Sequence, residues 1–158
     1  MTQTTHAVEA PAPAAAPAVL RIDIVSDVVC PWCYIGKRKL EAALASPEAA
    51  ALPKVEIHWH PFQLNPELPA AGIPRKQYLE QKFGGPQRAA EIYARVRSAG
   101  RSAGLELNID GITLQPNTLG AHALIAFAQQ GGQNAGNDVK ERLLKAYFID
   151  NQIGRAHV

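Results

Sequence analysis

The chain has 158 residues, 47% of them hydrophobic and 19% charged, with a formal charge of +2. This suffices for one domain with a buried core and does not call for two. So small a charge, with basic and acidic residues interspersed, argues against a nucleic-acid or anionic-membrane partner, and no apolar run approaches the roughly 20 residues that span a bilayer, so a soluble protein is expected.

Met1 to Ala18 is built from Ala, Pro and Thr with His6 and Glu9. It lacks the basic start and continuous apolar segment of a secretory signal, which leaves export unsupported. Alternating Pro and Ala supply no core to offset the entropy of ordering, so residues 1–18 are expected to form a disordered tail. The only two cysteines, Cys30 and Cys33, are two residues apart. They cannot staple distant segments, and a chemical role is expected instead.

Leu20 to Ser26 alternates apolar and polar residues, many of them β-branched, and predicts a strand with one buried face. From Pro31 the pattern turns helical, with proline at a position whose missing N–H is unpaired anyway, and Ser46-Pro47 ends the helix. The cysteine pair therefore falls at a strand-to-helix junction. Lys54 to His60 alternates again, with Val55, Ile57 and Trp59 on the core face, and Pro61 closes it. A right-handed β-α-β crossover makes the two strands parallel neighbours, so both carboxyl ends lie on the sheet edge that carries the cysteines.

Helices are expected over Pro74–Phe83, from Pro86 to about Ser102, over Asn117–Gln130 and from Asp138 to about Asp150, with Gly84-Gly85 and Gly131-Gly132 as stops. No third or fourth strand is expected. Asp138 and Glu141 have capping-box spacing ahead of the apolar stripe Val139, Leu143, Leu144, Tyr147 and Phe148. Leu105 to Ile109 reads as an extended connector before Asp110-Gly111.

A thiol exchanges disulfides only as its thiolate, and an ordinary cysteine, of pKa about 8.5, supplies little of it at neutral pH. At a helix N-terminus the unpaired amides and the positive end of the macrodipole stabilise that anion. Cys30, at the helix start and nearer solvent, is expected to attack, and Cys33 one turn along to resolve, with Pro31 and Trp32 setting strain and polarity between them. A protein or small-molecule thiol is the expected substrate, and no cofactor is called for. Lys37, Arg38 and Lys39 read mainly as a solvated face rather than as an added positive potential.

Paired cysteines also form half of many zinc sites, and His58 and His60, on one side of the second strand, complete a conceivable Cys30, Cys33, His58, His60 set. A zinc-binding module is thus the alternative reading. Trp59 is expected in the core, and His122, within an apolar helix, as a hydrogen-bonded packing residue rather than a base.

The run Ser26-Asp27-Val28-Val29-Cys30-Pro31-Trp32-Cys33-Tyr34-Ile35-Gly36-Lys37 resembles the active-site segment of FrnE-like members of the DsbA family. His60-Pro61-Phe62-Gln63-Leu64-Asn65-Pro66, and Pro116-Asn117-Thr118 through Ala121-His122, agree with it. The resemblance covers about Ile22 to Gln152. It implies an α/β, thioredoxin-like β-α-β with an inserted all-helical subdomain, disulfide exchange as the activity and a cytoplasmic location. The glutathione-dependent hydroxychromene-carboxylate isomerases share this architecture but carry serine for the attacking cysteine, and Cys30 argues against that assignment. The family's closing β-β-α half, with a proline loop facing the cysteines, is missing from this sequence, so a C-terminally truncated chain is expected. Its residues would divide into 1–18 tail, 19–62 thioredoxin-like part, 63–152 helical subdomain and 153–158 non-native end. The ending Ile153-Gly154-Arg155-Ala156-His157-Val158 matches one frame of a common sequencing adapter. An inactive fragment is the third reading.

Overall fold

The computed structural model describes residues 18–152, without the side chain of Gln133. The expectations for the tail up to residue 17 and for 153–158 lie outside the described residues.

Strand β1 (Val19–Ser26) and strand β2 (Lys54–Pro61) pair in parallel, from Val19 opposite Lys54 to Ser26 opposite Pro61. Helix α1 (Pro31–Leu44) crosses between them, followed by a 3-10 turn over Pro47–Ala51 where only a loop was expected. The expected β-α-β unit is present. Ile22 and Ile24 are half-buried beside Val55 and Ile57, and Trp59 is 5% exposed, its expected core position. The turn from β1 to α1 is anchored by Val28 and Val29, both buried, which fixes where the cysteines begin.

Four further helices follow among the described residues: α2 (Arg75–Phe83), α3 (Pro86–Ser102), α4 (Leu119–Gln129) and α5 (Gln133–Phe148). Gly84 closes α2 in the left-handed conformation at φ 75°, as the glycine stops imply. Leu105 to Asn108 is the extended connector expected, with Leu105, Leu107 and Ile109 buried and the Asn108 N–H donated to the Phe148 carbonyl at 2.7 Å. No helix among the described residues is long and apolar enough to cross a membrane.

Two expectations need correction. Strand β3 (Ile73–Pro74) pairs antiparallel with strand β4 (Leu114–Gln115), so further strands do exist. A two-residue ladder has no periodicity to read, and it forms because Gly72, at φ 72°, lets the chains close: a Cβ there would lie 2.5 Å from the Gln115 carbonyl oxygen. Asp138 is not a helix cap either, because α5 opens at Gln133, and Glu141 is used elsewhere. Arg75, itself buried, locks this half together by donating to Gln115, Tyr93 and Tyr147.

Candidate active site

Cys30 is the N-cap residue of α1, with extended backbone (φ −94°, ψ 113°), and Pro31 takes the first helical position. The Cys30 carbonyl accepts from the N–H groups of Cys33 at 3.1 Å and Tyr34 at 3.3 Å, which brings the second sulfur back over the first. Both cysteines are free and half-buried, so burial does not rank Cys30 as the more accessible. Trp32 is exposed beside them, and Phe62 and Leu64, from the segment following β2, are exposed at the same end of the sheet.

The two thiols are hydrogen-bonded to one another, and this contact dominates their ionisation. Donation from Cys30 brings Cys33 down to about 6 despite burial, helped by the Asp27 amide and the charge of Lys140, while the Asp27 carboxylate opposes it. The same contact, with burial, pushes Cys30 up, although the amides of Trp32 and Cys33 pull it down. The reduced pair therefore carries one negative charge at neutral pH. The contact between the thiols, more than the helix amides expected from position, leads the ionisation of the pair. A proton held between two sulfurs moves across without leaving the pair, so the negative charge is available at either sulfur.

Asp27, three residues before Cys30 and 1% exposed, accepts from the Leu64 N–H at 2.8 Å through Oδ2. His122 Nε2 is 3.2 Å from Asp27 Oδ1 and 3.0 Å from the Phe62 carbonyl. Facing two acceptors, that nitrogen is the protonated one. Burial works upward on the Asp27 carboxyl, yet bonds from His122, Leu64 and Thr118 hold it below its usual value. His122 is hydrogen-bonded as expected, and its partner belongs to the site. The pair ties the loop after β2 and the start of α4 to the turn that presents Cys30.

Helix α1 is held against α5 by a charge cluster. Tyr34 Oη donates to Glu141 Oε1 at 2.8 Å, Lys37 Nζ lies 2.8 Å from Glu141 Oε2, and Arg38 reaches both Glu141 and Glu41. Half-burial would raise the Glu141 carboxyl, but donors from Lys37, Tyr34 and Arg38 keep it lowered. Lys37, 3% exposed, is no part of a solvated face, and it and Arg38 are neutralised by carboxylates.

Sequence reasoning missed Lys140. It is 1% exposed, and its ammonium lies 5.3 Å from the centroid of the Trp59 ring. Burial lowers it to about 8, while the charges of Cys33, Asp27 and Cys30 raise it. A lysine in the stripe-bearing helix α5 carries no signal of its own. Only the fold shows that it faces the cysteines.

His58 and His60 do not join the cysteines. His60 Nε2 meets Asp23 Oδ1 at 2.6 Å on the exposed face of the sheet, and no group of three or more metal-capable side chains occurs among the described residues. Strand alternation explains this: Asp23, His58 and His60 share the face opposite Trp59.

Residues 21–157 match the DSBA-like thioredoxin domain family. The uncharacterised protein YwbO of Bacillus subtilis (strain 168) is 28% identical over 137 residues, which are 84% of this chain and 58% of that protein. A crystal structure of a probable DsbA oxidoreductase from Streptomyces coelicolor superposes with a TM-score of 0.69 at 27% identity, covering 84% of this chain and 55% of that one. The chain spans somewhat more than half the length of each.

Proposed function

The chain belongs to the DSBA-like thioredoxin domain family, and from that premise we propose that it is a thiol-disulfide oxidoreductase whose Cys30–Cys33 pair exchanges disulfides with protein or small-molecule thiols. The observation that carries this reading is the pair of free, half-buried thiols one helical turn apart at the opening of α1, with Cys30 at the N-cap and the first ionisation of the pair brought down to about 6. At neutral pH such a pair is already a thiolate, the species exchange requires.

In the oxidising direction a substrate thiolate attacks the Cys30 sulfur. The Cys30–Cys33 bond breaks, its electron pair leaves on Cys33, and the substrate is joined to Cys30 as a mixed disulfide. A second substrate thiolate then attacks the substrate sulfur, releasing the substrate disulfide and the Cys30 thiolate. The substrate has lost two electrons and the pair has gained them. The lowered ionisation of Cys33 makes it the better leaving group. Run backwards, Cys30 attacks a substrate disulfide and Cys33 resolves the adduct.

Exposed Trp32, Phe62 and Leu64 give a polypeptide substrate apolar surface close to the reacting sulfur. The resemblance of the run Ser26 to Lys37 supports an FrnE-like member with a cytoplasmic setting as part of the same proposal. The test is Cys30→Ser: it should abolish both insulin reduction and oxidative refolding activity, and retained activity would refute the assignment.

A further inference from the structure

We propose that Lys140 is a positioning residue for disulfide exchange: its buried ammonium, docked on Trp59 behind the cysteine pair, stabilises the Cys33 thiolate as that sulfur leaves the Cys30–Cys33 disulfide. The inference rests on the oxidoreductase reading and assigns it a residue from the helical half of the chain.

The placement carries it. Lys140 is 1% exposed on α5, and among the described residues no carboxylate lies within 4.0 Å of its ammonium. Its neighbour Glu141 turns to Tyr34, Lys37 and Arg38 and leaves it unpaired. The groups whose charge reaches Lys140 are Cys33, Asp27, Cys30 and, repulsively, Lys37. From β2 the face of Trp59 supplies the remaining contact. A buried ammonium is costly unless an anion answers it. Asp27, fixed by His122 and Leu64, is a constant negative charge, so the anion that comes and goes in front of Lys140 is the one formed at Cys33.

The consequence is a charge that comes and goes during the reaction. In the disulfide state Lys140 faces two uncharged sulfurs, and the charge of Asp27, a carboxylate already hydrogen-bonded to His122 and Leu64, is the standing one that reaches it. When an incoming thiolate attacks Cys30 and the S–S electron pair moves to Cys33, the new anion forms in the field of Lys140. The ammonium thus favours the reduced pair over the disulfide, and makes the protein a stronger oxidant than the same pair without it.

The experiment compares the chain with its Lys140→Met and Lys140→Arg variants, three readouts each: thermal melting, the pH midpoint of thiolate absorbance in the reduced protein, and the disulfide fraction at equilibrium with glutathione. Lys140→Met should fold, raise the midpoint by about one pH unit and shift the equilibrium about tenfold toward the disulfide. Lys140→Arg, keeping the charge, should restore both. A folded Lys140→Met variant with the parental midpoint and equilibrium overturns the proposal. If the methionine variant does not fold, Lys140→Gln is read in the same way. Failure of the parent to exchange with glutathione would refute the oxidoreductase reading instead, and the midpoint comparison still decides the role of Lys140.

Discussion

Gln129 closes the outer edge of β2 with one side chain: its Oε1 accepts the Trp59 N–H at 2.7 Å and its Nε2 donates to the Trp59 carbonyl at 3.0 Å. An amide that satisfies both backbone groups of a strand residue acts as a short piece of neighbouring strand. It also fixes the height of Trp59, and with it the seat of Lys140.

Gly136 of α5 makes room for that clamp, because a Cβ there would fall 2.2 Å from Gln129 Cγ. Intrinsic propensity alone favours alanine inside a helix by about 1 kcal/mol. Gly136→Ala should nevertheless destabilise the chain, by about 1–3 kcal/mol, as the Gln129 side chain is displaced. Urea denaturation measures the sign, and a stabilised variant would show that the clamp is not under tension.

Asp27→Asn separates the two duties of Asp27. Loss of a hydrogen bond at a buried position should cost about 1–3 kcal/mol. Because the carboxylate opposes ionisation of Cys33, its removal should move the thiol midpoint downward, opposite to Lys140→Met. An upward shift would mean that the Asp27 charge does not act on the pair.

Asp27 and Glu141 also set the acid limit of the fold. Both carboxyls are lowered relative to their usual values, so both bind protons less readily folded than unfolded. Their contribution is complete above the unfolded values near pH 4 and is lost as pH falls through the depressed folded ones. With the cysteines joined as a disulfide, so that no thiol titrates, stability should therefore be flat from neutral pH to about 5 and then decline. Glu141→Gln should shallow that decline, and an unchanged slope in chemical denaturation would remove Glu141 from the account.

Much of this site is legible in the sequence. Alternation in Leu20–Ser26 and Lys54–His60, with Pro31 between them, gives the β-α-β unit and the junction that carries Cys30 and Cys33. Local signals end there. Glu141 resembles half of a capping box because its true partners, Tyr34 and Lys37, are more than a hundred residues away in sequence. Lys37 passes for a surface cation until α5 is laid over it, and the β3–β4 ladder is too short for any pattern. The ionisation of the pair is only partly legible for a related reason: helix amides can be inferred from position, whereas a contact between the thiols and a lysine from another helix cannot.

The most direct measurement is the thiolate absorbance of the reduced chain followed against pH, with Cys30→Ser and Cys33→Ser variants to apportion it. A pair built as described should lose its first proton with a midpoint near 6, leaving a thiolate in full supply at neutral pH. A midpoint near the ordinary thiol value of about 8.5 would contradict the exchange centre at its root.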